Sequence, residues 1–289
     1  PDFKMEKHIL DRRLEQLREE GVKFETDITV GVDLSARYMR KSFDAVCLCM
    51  GAGRPRPLEV PGAELDGVSM AMDFLTQQNR RVAGDPRDEL GTPVLNAAGK
   101  HVVVLGGGDT GSDCVGTAIR QGALSVTQLE ILPQPPEDSN PETPWPNWPK
   151  IMRTSSSQQE GCRRRWSVMT KSLSGSGGHL TELHACEVDW VRGDRGWAPK
   201  ERHGTDFRIQ ADMVLLAMGF LHVDHAGLIN PMGLELDGRG NVAARDYMTS
   251  IEGVFAAGDT IRGASLVVHA INEGRQAAAT IDRWLRTMA

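Results

Sequence analysis

VVVLGGGDTGSDCVGTAIRQGA, residues 102–123, decides how the rest of the chain is read. Apolar residues from Val102 to Leu105 run into three consecutive glycines, and a helical pattern follows. Gly106, Gly108 and Gly111 satisfy G-x-G-x-x-G, a weak signal alone but a specific one between a strand and a helix. The first glycine permits the tight turn, the second lets a pyrophosphate approach the backbone, and the third lets the helix pack close to the strand. The helix start then offers free N–H groups and a partial positive charge to phosphates. Gly106, Gly107, Gly108, Asp109, Thr110 and Gly111 are therefore candidate dinucleotide-binding residues.

The next strand, Ser125 to Leu132, carries Glu130 at the spacing of about 20 residues at which an acid reads the ribose hydroxyls of NADH and repels a 2′-phosphate. Against that stand Lys150, Arg153 and the run Arg163-Arg164-Arg165, any of which can pair with the 2′-phosphate of NADPH. Glu130 and Arg153 are both candidates for the ribose end, and the choice between NADH and NADPH stays open.

A second motif closes the chain. FAAGDTIRGASLVVHAINEGRQAA, Phe255 to Ala278, reads as strand, Gly-Asp turn and long helix. Asp259 at such a turn can hydrogen-bond a ribityl hydroxyl, and the helix start at Ser265, Leu266 and Val267 can stabilise negative charge on a reduced flavin. Gly258, Asp259, Ser265, Leu266 and Val267 are candidate FAD-binding residues, although the turn by itself suits an ordinary strand–turn–helix equally. Glu273 and Arg275, further along, read as surface or interdomain residues.

Two buried strands ending in glycine, DAVCLCMGAG and ADMVLLAMGF, rhyme and suggest the crossings of an inserted domain. The expected layout is α/β, with a Rossmann-like NAD(P)H-binding domain over 57–218 inserted into an incomplete Rossmann-like FAD-binding domain over 1–56 and 219–289. Helices are expected over His8 to Glu20, Ser35 to Lys41, Met70 to Val82, around Asp113 to Gln121, and over Ser265 to Thr287. Strands are expected over Val22 to Val30, Asp44 to Met50, Lys100 to Leu105, Leu180 to Val191, Phe207 to Ile209, Ala211 to Met218 and Gly253 to Ala257. The proline-rich segment Pro133 to Pro149, with Trp145 and Trp148, reads as an ordered loop packed on the body.

PDFKMEK, AMDFLTQQNRRVAGD, the 102–123 loop, LPQPPE, RTSSSQQEGCRRRW, ADMVLLAMGF and RGASLVVHAINEGRQAA together resemble the glutathione-reductase-like flavoproteins with two dinucleotide-binding domains. More narrowly, the chain is similar over essentially its whole length to the small (beta) subunit of glutamate synthase. That resemblance implies hydride transfer from NADPH or NADH to FAD, then electron transfer through iron–sulfur clusters to a large subunit that forms glutamate. The cofactors do the chemistry, so binding residues rather than side-chain acids and bases are expected. The family's cysteine-rich iron–sulfur segment and first FAD glycine loop have no counterpart here. The expectation is a fragment with an incomplete FAD site that holds FAD weakly in isolation. The acceptor is expected to be the glutamate synthase large subunit, or another acceptor in a diaphorase-type relative; a remnant without activity is the third reading.

Net charge is −6, so no basic field invites nucleic acid. Apolar runs are too short to span a bilayer, and no basic-then-apolar leader opens the chain. Five cysteines without a C-x-x-C pair argue against a disulfide framework or cysteine metal site. Cys47 and Cys49 are expected to be small buried residues of a strand covered on both faces. His101, His222, His225 and His269 have no metal-ligand register. A cytoplasmic protein is expected, with homo-oligomer formation open to it.

Overall fold

The computed structural model describes residues 1–85, 93–138, 141, 143–144, 151–194 and 196–288. Trp145, Trp148 and Lys150 lie outside the described residues, as does much of the proline-rich segment. The chain divides into two compact units, one of Pro1–Lys7 and Pro57–Met218, the other of His8–Arg56 and Gly219–Ala289. Residues 1–7 thus depart from the expected layout. Phe3 lies beneath the Arg120 guanidinium, 3.6 Å from ring centroid to Cζ, and Lys4 reaches Asp113 at 3.9 Å.

The first unit is built on a five-stranded parallel sheet in the order β2-β10-β3-β4-β5. Its strands are β2 (Val68–Met70), β3 (His101–Leu105), β4 (Ser125–Leu129), β5 (Arg163–Arg165) and β10 (Met213–Leu216). Alternation along β3 explains its unbroken apolar run. Val102 and Val104 face helices α3 (Ala71–Ala83) and α4 (Asp109–Arg120), packing with Phe74, Cys114 and Val115. Val103 and Leu105 face the other way, against Val168, Leu173 and Leu183. A strand buried on both sides needs apolar residues at every position.

That second layer is an antiparallel sheet of β6 (Val168–Ser176), β7 (His179–Gly193), β8 (Gly196–Glu201) and β9 (Phe207–Gln210), with β7 pairing all three others. Residues 168–176 and 196–201 carry little hydrophobic alternation, so neither reads as a strand from sequence; β7 supplies the partner that organises them. The short helix α5 (Ser156–Gln159) carries a capping box between Ser155 and Gln158.

In the second unit β1 (Val46–Leu48) pairs in parallel with β11 (Val254–Ala256). Helices α1 (Lys7–Glu19), α2 (Ala36–Ser42), α6 (Asn230–Met232), α7 (Asp259–Arg262) and α8 (Val267–Met288) accompany it. Two expectations fail here. Residues 22–30 form no strand, only an isolated bridge from Val30 to Leu34; their alternation finds no neighbouring strand. Cys47 and Cys49 are exposed, not buried. Val46 and Leu48 turn into the core with Val223, Ile229 and Val254, while Cys47 between them and Cys49 beyond the strand turn out from a two-stranded sheet.

The segments flanking 57–218 run side by side. Leu221 N–H donates to Arg54 C=O at 2.8 Å, Arg54 N–H to His222 C=O at 3.0 Å, and Arg56 N–H to Gly219 C=O at 3.1 Å. Among the described residues no helix is long and apolar enough to cross a membrane.

Candidate functional site

The glycine loop leaves the middle of the parallel sheet, between β3 and α4. Gly106 has φ +124°, and a Cβ there would sit 2.1 Å from the Ala217 carbonyl oxygen. Only glycine combines that backbone with that approach. At Gly111 a Cβ would lie 2.2 Å from Gly106 O, so the helix packs on the loop as the third glycine of the fingerprint requires. Gly108 differs: nothing lies within 4 Å of a built Cβ, and the space beside it is open. Gly108 is the N-cap of α4 and supplies no side-chain cap, which leaves the helix start, with Asp109 and Thr110, to a ligand.

Glu130 follows β4 and folds back onto this loop. Its Oε2 accepts from Gly107 N–H at 2.6 Å and its Oε1 from Leu132 N–H at 2.8 Å. Gln128, two residues earlier, donates from Nε2 to Gly106 C=O at 2.9 Å. Gln128 is itself held by Gln158, whose Nε2 donates to Gln128 Oε1 at 2.8 Å, and Gln158 Oε1 accepts from Ser155 N–H at 2.8 Å. Ser155 Oγ meets Ser112 Oγ at 2.5 Å. A buried polar chain thus joins the loop to the 155–158 turn. The sequence reading missed Gln128 and Gln158; the legible signals were a polar residue inside an apolar strand and the S-x-x-Q capping pattern.

Arg153 is exposed just before that turn. Arg164, on β5, donates from Nη1 to Arg153 C=O at 3.1 Å and to Thr154 Oγ1 at 3.2 Å, with its guanidinium 4.8 Å from the Trp166 ring centroid. Burial depresses the Arg164 pKa. Arg165 turns away, to Glu187 and the Phe207 ring.

In the second unit, Gly258 sits at φ +66° immediately after the buried end of β11. Asp259 opens α7 and accepts from Ser265 Oγ at 2.7 Å, so these two candidates are brought together. Leu266 and Val267 are exposed at the start of α8. Glu273 is not a surface residue: it is 6% exposed, accepts from Gly258 N–H at 3.1 Å and from Arg262 Nε at 2.6 Å. Thr260, fully buried, accepts through Oγ1 from Met50 N–H at 2.9 Å and Gly51 N–H at 3.1 Å, fixing the end of β1. His222 and His225 stack at 4.3 Å, each with a ring nitrogen on a backbone carbonyl, Val223 for the first and Gly240 for the second.

A parallel sheet with a glycine-rich loop at its centre, together with a second unit that carries a strand–Gly-Asp–helix turn, defines a Rossmann-like, two-domain oxidoreductase architecture. The family described as pyridine nucleotide-disulphide oxidoreductase matches residues 10–274, and the chain belongs to it. Over 287 residues it is 50% identical to the glutamate synthase (NADPH) small chain of Mycobacterium tuberculosis, across 99% of this chain and 58% of that protein. To the protein of the same name from Bacillus subtilis it is 38% identical over 295 residues, across 99% and 59%. The chain therefore spans less than two thirds of the length of these curated relatives. Among solved structures it resembles Mycobacterium tuberculosis FprA in complex with NADPH, with TM-score 0.69 at 15% identity, covering 96% of this chain and 72% of that one. It also resembles the thioredoxin reductase of T. acidophilum, with TM-score 0.56 at 18% identity, covering 85% of this chain and 66% of that one. At these identities the likeness concerns the fold alone.

Proposed function

We propose that the chain is the nucleotide-oxidising part of a glutamate synthase small chain, taking electrons from NADPH and passing them by way of FAD toward a large subunit that forms L-glutamate. The observation that carries this reading is the cradle of Gly106, Gly108 and Gly111, set in a chain half identical to a protein of that name. The cradle fits a dinucleotide: two of its glycines are closed off by protein backbone, while the third faces open space. Gly106 to Gly111 hold the pyrophosphate against the start of α4, and Arg153, steadied through its carbonyl by Arg164, meets the 2′-phosphate. Residues 57–218 form the NADPH-binding domain. Gly258, Asp259, Ser265, Leu266 and Val267 form one limb of the FAD site, on a unit of residues 8–56 and 219–289 that supplies only part of a flavin domain. NADPH, when bound, supplies the hydride. The choice of NADPH over NADH follows the names of the bacterial relatives.

The test is calorimetric titration of the 289-residue chain with NADPH and NADH, beside its visible absorbance spectrum. One saturable site that prefers NADPH, in a protein with little or no flavin colour, is the expected result. Absence of nucleotide binding overturns the reading of the glycine loop. Stoichiometric flavin bands would overturn the assignment of a partial FAD site.

A further inference from the structure

We propose that Glu130 is a positioning residue that locks one peptide group of the glycine loop, and that it does not read the adenosine ribose. The inference rests on the nucleotide reading of that loop. The Gly106 carbonyl and the Gly107 N–H belong to the same peptide unit. The carbonyl accepts from Gln128 Nε2 at 2.9 Å, and the N–H donates to Glu130 Oε2 at 2.6 Å. Both side chains leave one strand end two residues apart, hence on one face. Two side chains of one segment therefore grip the oxygen and the hydrogen of a single amide, and its plane cannot rotate without breaking both bonds.

An acid that reads a ribose points its carboxylate at the ligand. Here one oxygen faces Gly107 N–H and the other faces Leu132 N–H at 2.8 Å. The backbone of Glu130 is fixed as well, its N–H donating to Arg165 C=O at 2.8 Å and its carbonyl accepting from Val168 N–H at 3.1 Å. The middle glycine of the loop has a reason in the same contact. A Cβ on Gly107 would lie 2.7 Å from Glu130 Oε2 and 3.1 Å from its Cβ and Cγ. The G-x-G-x-x-G fingerprint leaves that position open; in this chain Glu130 closes it. With Gly107 N–H occupied, phosphate oxygens are left to the N–H groups from Gly108 onward, and the 2′ position of the adenosine is judged without this carboxylate.

The two roles part in the ratio of affinities for 2′,5′-ADP and 5′-ADP, which probe the adenosine end alone. Measured by calorimetry on the full 289-residue chain, Glu130→Ala is expected to weaken both ligands by a similar factor, about tenfold, as a half-buried donor loses its acceptor and the loop loosens. Glu130→Gln, which keeps an oxygen for Gly107 N–H, is expected to recover most of that loss. A selective gain of 2′,5′-ADP over 5′-ADP in Glu130→Ala would overturn the proposal in favour of a ribose-reading acid. Unchanged affinity for both would overturn the lock. Amide hydrogen exchange at Gly107 tests the lock without any ligand: protection in the wild type and in Glu130→Gln, lost in Glu130→Ala, is expected, and equal protection in all three sinks it. If the wild type binds neither ligand while Gly107 remains protected, the nucleotide reading has failed and not the clasp.

Discussion

The backbone N–H of Gly258 donates to the buried carboxylate of Glu273 at 3.1 Å, so the Gly-Asp turn is held by a side chain from the body of α8. The same carboxylate receives Arg262 Nε at 2.6 Å. Turn, short helix and long helix are thereby tied at one acid. Glu273 sits on the inward face of α8 with Ala277 and Thr280, which accounts for its burial.

Removing that acid leaves a buried N–H unpaired and a guanidinium without its partner. Glu273→Ala is expected to cost about 2–3 kcal/mol, and Glu273→Gln, which still accepts from Gly258, distinctly less. Thermal unfolding followed by circular dichroism checks both. Equal midpoints for the wild type and Glu273→Ala would show that the contact contributes nothing.

The glycines of the nucleotide loop are expected to separate stability from binding. Gly106→Ala forces a Cβ within 2.1 Å of a carbonyl oxygen at φ +124° and is expected to lower stability by about 2–4 kcal/mol. In Gly108→Leu the added Cβ has no protein atom within 4 Å, and the backbone has an ordinary negative φ of −79°. It is expected to leave the unfolding midpoint within a degree or two, on the order of the ±0.5 kcal/mol of a neutral surface change, and to abolish NADPH binding. Retained affinity in Gly108→Leu would remove the ligand from the open side of the loop.

Cys47 and Cys49 give a pH prediction. Their sulfurs lie 3.7 Å apart, and the hydrogen bond from Cys47 brings the Cys49 thiol down to about 7, with help from the Ala257 N–H against the effect of burial. Cys47, whose proton is held in that bond and which is itself partly desolvated, is pushed well above the ordinary thiol range. A lowered pKa means the thiolate forms on the acid side of an ordinary cysteine, at about 8.5. Alkylation of Cys49 by iodoacetamide is expected to rise through an inflection near pH 7, and Cys47→Ala is expected to move that inflection upward. A wild-type profile that inflects only above pH 8, within the ordinary thiol range of about 8.5, would contradict the arrangement.

At the other end of the proposed nucleotide site, Arg164 holds the backbone of Arg153 and the hydroxyl of Thr154. Arg153→Ala is expected to weaken 2′,5′-ADP by about tenfold, the scale of a lost charge-assisted hydrogen bond, with 5′-ADP nearly unchanged. Arg164→Ala is expected to show a fraction of the same selective loss. Equal losses for the two ligands would place the 2′-phosphate elsewhere.

The loop from Val102 to Ala123 was legible because strand, glycines and helix are contiguous in sequence and the glycines keep the spacing of the fingerprint. Met213 to Leu216 was legible as an unbroken apolar run, because a strand buried on both faces is apolar throughout. Residues whose roles depend on distant chain were not. Glu273 looks like any helix acid until Gly258, fifteen residues away, is folded against it. Glu130 was read by its spacing alone, and spacing does not say which way a carboxylate turns. The cysteines were read as buried because apolar neighbours surround them in sequence, whereas exposure depends on whether another layer covers the face of β1 they point from. Residues 22–30 alternate correctly for a strand and still form none, since period-two patterning creates a strand only where another edge is available to pair with it.

The paired backbone segments around Arg54 and Leu221 have a consequence for how such a chain can change over time. Seen from the smaller unit, everything from 57 to 218 is a single loop whose two ends are already joined by hydrogen bonds. The entropy of closing a loop grows only with the logarithm of its length. Residues can be gained or lost inside that stretch at little cost to its host, so the inserted segment is free to change in length while the hydrogen-bonded ends that frame it are kept.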